Sequence, residues 1–416
     1  DNFQIFSTFT KIAGSHTLKF GSDLRLLREH VGSFGNSSGW YRFQSNFVRG
    51  PLDSSPASPF AQDLASFLLG LPTGGGFDVG SRRSNQAGYA AFFLQDDWRV
   101  SPTLTLNLGI RYEREIATTE RFNRQLTGFD ATTPNAVTEP AKAAFAANPS
   151  SEILPAAFNP AGGPVFAAGG NRSVSSTNNL FSPRFGFAWK PEVLGGKNVI
   201  RGGFGIFYFT EGLQPSQQPG FFQTTPVVAT LDNFLSPRDT LDAPFREGIL
   251  QPPGATLGLN TFLGQAITFF NPRYDNAYSL RWNFSIQREV VANTVVELGY
   301  MGNHAVGLTG ARDLNFVDRE FLSASLVRDQ ATIDRLTANV ANPFRGLIPG
   351  TPLNGGTVSV EQLLRPFPQL NGNAGVRLET DNFGSSFFHM FQARVERRFS
   401  KGLSLMGNYM FSKLLA

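Results

Sequence analysis

The sequence predicts an all-β fold, an antiparallel transmembrane β-barrel present only in part. Three observations carry that prediction. Apolar and polar residues alternate with a period of two along the chain, the alternating segments are joined by very short turns, and long connections lie between the resulting hairpins.

The clearest alternation is Leu104-Thr105-Leu106-Asn107-Leu108-Gly109-Ile110-Arg111-Tyr112, where every even residue is apolar and every odd one is polar or Gly. Successive strand residues point to opposite faces, so this pattern is a strand between two different environments. Leu280 to Gln287 sorts in the same way. From Phe391 to Phe399 one face receives Phe, Ala, Val and Phe, and the other Gln, Arg, Glu and Arg. Short turns are expected at Ala13–His16, Val100–Thr103, Glu192–Lys197, Val290–Asn293 and Phe399–Gly402, each flanked by strand patterns. Between the hairpins, the stretches near 115–180, 209–276 and 305–386 are irregular and rich in Pro, Gly, Asn, Ala and Ser. They far exceed the usual connection of about 4–6 residues. In an outer-membrane barrel the periplasmic turns are short and the extracellular loops long, so the alternation follows from topology.

Composition agrees with a membrane setting. Charged residues are 16% of the 416, below the roughly 25% of soluble domains. No stretch reaches the 18 or more apolar residues of a membrane helix, so spanning by helices is excluded while spanning by strands remains open. The net charge of +4 is small and its basic residues are scattered, which gives no sign of a nucleic-acid partner. With Cys 0, a disulfide framework, a thiolate nucleophile and Cys-based metal sites are all excluded. The chain begins at Asp1-Asn2-Phe3 without Met or a secretory signal and stops at Leu415-Ala416 without a turn or tail. Both ends therefore read as cut points, with any export signal upstream.

Aromatic residues fall in two groups. Trp98, Trp189 and Phe399 sit beside short turns, and Tyr112, Tyr208, Tyr300 and Tyr409 toward the other strand ends. Two membrane-interface belts are expected, because amphipathic rings favour the boundary of hydrocarbon and water. Asp96 is the misfit: its register adds a carboxylate to the face of Phe92, Leu94 and Trp98. Either it lies near the interface, or a bulge resets the register.

Several segments together resemble the TonB-dependent receptors, and within them the Oar-like group, whose barrels follow a carboxypeptidase-regulatory-like domain and a plug. They are Phe92 to Val100 running into Leu104 to Glu113, Phe181 to Trp189 followed by Val199 to Tyr208, Gln287-Arg288-Glu289 with Glu297 to Gly302, and Arg397 to Leu403 with Tyr409 to Lys413. Ala65-Ser66-Phe67-Leu68-Leu69-Gly70 resembles a loop phrase of the same group. The resemblance implies a 22-stranded plugged barrel in the bacterial outer membrane, in contact with its lipid. It also implies TonB-powered uptake of a scarce extracellular ligand of unknown type, with the TonB complex engaged through an N-terminal region not in this chain. The sequence departs from the family in showing no plug domain, TonB box or closing strand. Residues 1–416 then form one incomplete barrel domain of about ten strands, with more near Trp40–Val48 and Phe77–Arg83, short of closure and unable by itself to perform coupled transport.

No enzyme is expected, and no cofactor or metal. His16, His30, His304 and His389 have no metal-ligand spacing. Gly202-Gly203-Phe204-Gly205 lacks the remainder of a phosphate-loop motif, and in a strand such glycines permit bending or close approach. Asp96 and Asp97 point to opposite faces and cannot act jointly. On the polar face Asn107, Arg111, Arg281, Asn283, Arg394, Glu396 and Arg398 are expected to line the lumen. Ligand capture is expected in the loops, where Trp40-Tyr41 and Phe221-Phe222 are aromatic candidates that equally suit packing between loops. The alternatives are a passive porin or outer-membrane adhesin, and a secreted soluble β-sheet binding protein.

Overall fold

The computed structural model describes residues 1–50, 56, 60–192, 195–214, 217–230, 234–371, 375–400 and 402–416. Ten long strands dominate the described residues: β1 (Asn2–Ala13), β2 (His16–Gly32), β3 (Arg82–Ser101), β4 (Leu104–Glu120), β5 (Asn178–Trp189), β6 (Asn198–Tyr208), β7 (Tyr278–Val291), β8 (Thr294–Asp313), β9 (Val376–Ser400) and β10 (Leu403–Leu415). They pair in chain order, each antiparallel to the next. An eleventh strand, Ile267–Phe270, adds to β9 in parallel at Val376–Glu379.

The short turns all lie at one end of this sheet. Gly14 (φ 57°), Asn293 (φ 62°) and Gly402 (φ 79°) supply the left-handed backbone that three of them require. Val193 and Leu194 of the third expected turn and Lys401 of the last lie outside the described residues.

Register assigns the faces. Leu106 lies between Trp98 and Phe187, and Asn107 between Asp97 and Gly186, so apolar and polar sets stay separate across β3, β4 and β5. The apolar face is the open one: Leu94 is 50% exposed and Ile110 49%, while on the polar face Ala91 is 0% and Glu113 8% exposed. A soluble protein does the reverse, so an exposed face this large and apolar requires another apolar phase against it. Among the described residues no helix is long and apolar enough to cross a membrane.

Strands run beyond the bounds that alternation predicts. β4 reaches Glu120, β8 reaches Asp313 and β9 begins at Val376, because pairing continues to Asn85↔Glu120 and Asp313↔Arg377 through bulges. Charged residues such as Glu113, Arg114 and Glu115 end the apolar alternation there, although the ladder hydrogen bonds persist.

At the end opposite the turns, the long connections pack together and form their own cores instead of staying irregular. Helix Thr138–Ala147 contributes Ala141 and Phe145, which join Val137, Phe158, Phe344, Ile348 and Leu363 in one cluster. A second cluster brings Leu126, Ile267, Phe269, Leu370 and Val376 together from three connections. The phrase Ala65–Gly70, expected in a loop, completes a short helix at Gln62–Leu68, and Gly70 (φ 67°) closes it.

Candidate functional site

The polar face carries a connected set of side-chain interactions. On β2, Asp23 receives Arg25 Nη2 at 2.5 Å and Arg25 Nε at 3.0 Å, and on β1 Gln4 donates to it at 2.9 Å. On β4, Arg111 Nη2 stands 3.8 Å from Asp23, its Nε is 3.1 Å from Glu113, and it donates to the Tyr89 hydroxyl at 2.9 Å. Tyr89 donates to Glu113, which also accepts from Ser182 at 3.2 Å, and the Arg25 guanidinium lies 5.0 Å from the Tyr89 ring centre. Two guanidiniums and two carboxylates thus neutralise one another across β2 to β5. Charges this enclosed require such pairing.

Above this layer the connection between β6 and β7 is tied to β4. Glu115 accepts from the Gly212 N–H at 2.8 Å and from Asn276, and Thr118 accepts from the Gln214 N–H at 2.9 Å. Burial, followed by the nearby Glu211, pushes the Tyr274 hydroxyl up. Farther out, Asp130 caps its own turn, accepting from the Thr133 hydroxyl at 2.7 Å and from the Thr133 and Thr132 N–H groups at 2.9 and 2.8 Å. These bonds hold its carboxyl at about 2.

A different arrangement occupies β5 to β7. Register places Arg184, Gly205 and Arg281 side by side on the polar face, with Phe207 next along β6. The Arg184 guanidinium lies 4.5 Å and that of Arg281 4.9 Å from the Phe207 ring centre. A Cβ at Gly205 would meet that ring, so the glycine is what lets Phe207 settle between the two cations.

Of the residues expected on the polar face, Asn107 donates to Asp97 at 2.9 Å, Arg281 donates to Ser279 at 3.1 Å and Arg394 donates to Glu396 at 2.7 Å. Asn283 stands opposite Gly203 and Met301. Arg398 lies at the turn end, beyond the last β8 pair at Thr294↔Arg397, and its N–H meets Asn293 O at 2.9 Å. The network at Asp23, Arg25, Tyr89 and Glu113, and the pair Arg184 and Phe207, were not singled out from sequence. Alternation with Asn107 and Arg111 is the signal that would have found most of them.

On the apolar face Trp98 stacks on His16 with ring centres 5.3 Å apart, and Trp189 stands between Leu104 and Ile200. Tyr112 donates to Asn179 at 2.8 Å, Tyr208 pairs with Tyr278, and the Tyr300 hydroxyl lies 2.8 Å from His389 Nδ1. Tyr409 stands opposite Ala393, and Phe399 is exposed beside the last turn. The tyrosines differ in height. Tyr208 comes ten residues after Asn198, while Tyr300 and Tyr409 come six after Thr294 and Leu403.

Asp96 keeps its register between Leu18 and Leu108 on the apolar face, since the nearest bulge falls at Arg99/Ser101. Asp97 faces the other way, 3.2 Å from Lys19. Gly202 sits against the Phe187 ring, which a Cβ would overlap. His304 stacks on Phe387, bringing it near His389, whereas His16 and His30 lie apart beside Asp96 and Ser84. The loop aromatics pack among themselves: Tyr41 on Phe245, Phe221 on Phe166 and Phe222 on Phe262.

Among solved structures, the chain is similar to the FrpB iron transporter of Neisseria meningitidis at 10% identity, covering 99% of this chain and 35% of that one with a TM-score of 0.40. It is similar to the ferric yersiniabactin uptake receptor FyuA of Yersinia pestis at 8% identity, covering 100% and 35% with a TM-score of 0.36. It is also similar to the ferripyoverdine receptor of Pseudomonas aeruginosa at 10% identity, covering 99% and 32% with a TM-score of 0.37. The chain spans about a third of the length of these proteins. No curated protein matches it. The family model described as "Outer membrane beta barrel domain" matches residues 1–416, so the chain belongs to the outer-membrane β-barrel family and resides in the outer membrane.

Proposed function

We propose that this chain is part of the barrel wall of a TonB-dependent outer-membrane receptor of the Oar-like group, which captures a scarce extracellular ligand and takes it up with energy delivered through the TonB complex. In this reading the apolar face meets lipid. The short turns are periplasmic, and the packed long connections form the extracellular surface. The polar face, with Asn107, Arg111, Arg281, Asn283, Arg394, Glu396 and Arg398, lines the lumen. Trp98, Trp189 and Phe399 hold the periplasmic interface, and Tyr112, Tyr208, Tyr300 and Tyr409 stand toward the outer one.

The single observation that carries a receptor over a passive pore is the cap of connections. Three of them share buried cores, with Phe145 and Phe158 packed against Phe344, so the extracellular end is a folded surface. Binding residues act best when loops are held by a scaffold, and this cap holds them. The enclosed charge network below it is suited to a lumen that is filled or tightly controlled.

Two measurements on the full-length protein test the proposal. In planar bilayers it is expected to show no steady ion conductance, and in cells it is expected to crosslink to the C-terminal domain of TonB. A steady open-pore conductance with no TonB crosslink would establish the passive porin instead.

A further inference from the structure

We infer that Arg28, Arg121 and Arg172, with His30, form a binding site on the outward side of the wall for the phosphate of a lipid headgroup in the outer leaflet. This inference rests on the apolar face meeting lipid and on the short turns being periplasmic.

Register fixes both the face and the height. β2 and β3 pair without a bulge from His16↔Trp98 to Gly32↔Arg82, so Arg28, Gln86, His30 and Ser84 share the face of Phe20, Leu24 and Leu94. Along that face the side chains change character from one row to the next: Leu26↔Gly88 is followed by Arg28↔Gln86 and then by His30↔Ser84. Arg28 Nε donates to Gln86 at 3.0 Å, and His30 Nδ1 lies 2.7 Å from the Ser84 hydroxyl. Arg28 comes twelve residues after His16. At the rise of a strand and a barrel tilt of about 35–45°, it stands about 29–33 Å above the level of Trp98. The apolar band of such a barrel is about 25 Å tall, so Arg28 lies just beyond the hydrocarbon, at the depth of headgroups.

A recess of about 910 Å³ opens at that height. Arg121, at the corner after β4, and Arg172, from the connection between β4 and β5, join Arg28 and His30 around it. The Arg121 N–H meets Ser84 O at 2.9 Å. Arg172 Nε donates to Asn123 at 2.6 Å, and its Nη2 meets Glu120 O at 3.2 Å. The acceptors of Arg28 and Arg172 are neutral, so they orient the two heads without cancelling their charge. Asp1 and Glu29 also border the recess, but Glu29 belongs to the polar face and stands 4.0 Å from Arg83. The balance is cationic. Guanidinium groups present paired donors that match a phosphate edge, and basic pockets beside a bilayer suit anionic headgroups. Below Arg28 the same face continues as Leu26, Leu24 and Phe20, an apolar surface for the acyl chains of the same molecule. A lipid uses both halves of this surface, and a free anion only the upper one.

The test is native mass spectrometry of the full-length protein in detergent, titrated with diphosphoryl lipid A and with the same lipid stripped of both phosphates. The phosphorylated lipid is expected to bind at least tenfold more tightly, since each arginine near a headgroup contributes about fivefold. R28Q, R121Q and R172Q should each weaken that preference about fivefold, and R28K should keep most of it. R288Q, which removes an outward cation at the turn end, should leave the preference unchanged. Heat-modifiable migration on gels confirms that each variant is folded. Equal binding of the two lipids by the wild-type protein overturns the site, and so does a preference that survives all three Gln substitutions together. Full displacement of the phosphorylated lipid by millimolar inorganic phosphate would assign the recess to a free anion and overturn the lipid. F60C, in the connection between β2 and β3, separates the site from the topology. Labelling from outside intact cells is expected, and labelling only from the periplasm would overturn the orientation. Outside labelling together with equal binding of the two lipids would overturn the site alone.

Discussion

His16 Nδ1 lies 2.6 Å from the Asp96 carboxylate on the apolar face of the sheet, one strand apart and beside the periplasmic turns of the proposed topology. A carboxylate facing hydrocarbon is costly, and its nearness to the interface together with a hydrogen-bonding imidazole reduces that cost. Replacing His16 with Ala leaves the carboxylate without this partner, so H16A should destabilise the full-length protein by about 1–3 kcal/mol. D96L should cost less. A double-mutant cycle from urea unfolding in bilayers should show coupling of about 1 kcal/mol between the two. Independent, additive effects would show that the contact contributes nothing.

Leu108 and Asn107 are neighbours in sequence on opposite faces. Leu108→Arg places a cation against lipid and should cost about 2–4 kcal/mol in bilayers, while Asn107→Arg should cost well under half of that. Cysteine scanning from 104 to 112 gives the same answer by chemistry: a bilayer-confined reagent should mark even positions only.

Gly302 lies under the Trp282 indole, where a Cβ would overlap the ring. G302A should destabilise by about 1–3 kcal/mol through overpacking, and W282A should largely remove that penalty when combined with it. An equal penalty for G302A in both backgrounds would contradict this account.

Phe145 and Phe344 are almost wholly buried in the core shared by two connections. Removing either ring should cost about 3–5 kcal/mol locally. F344A is therefore expected to open the cap to limited proteolysis within both connections while the strands remain protected, because the sheet keeps its own ladders. Cleavage confined to one connection would show that the two fold independently.

Asp130 has a carboxyl held at about 2 by the Thr133 and Thr132 groups. Because its folded value lies below the ordinary carboxylate value of about 3.9, its contribution is complete above that ordinary value and is lost as pH falls from about 4 through 2. Amide-exchange protection at Thr132 and Thr133 should fall across that window in the native protein. In D130N the same amides should be weakly protected at every pH.

Much of the sheet was legible in the sequence. Leu104 to Tyr112 and Phe391 to Phe399 display their faces directly, because the side-chain period of a strand is two and each short turn sits between its own strands. The outer-membrane setting was legible for the same reason, once the apolar sets proved too extensive for a chain with so few charges. The strand tops were harder to read. Glu113, Arg114 and Glu115 break the alternation, although pairing continues to Glu120.

The sequence by itself determined which residues alternate, where the chain reverses and which face of each strand is apolar, since all of these are local. Only the tertiary structure decided that Asp96 meets His16 across 80 residues, that Phe158 packs on Phe344 beneath a common cap, and that Arg184 and Arg281 share the ring of Phe207. These contacts join segments far apart in sequence, and no local periodicity encodes which distant strand or loop will stand opposite.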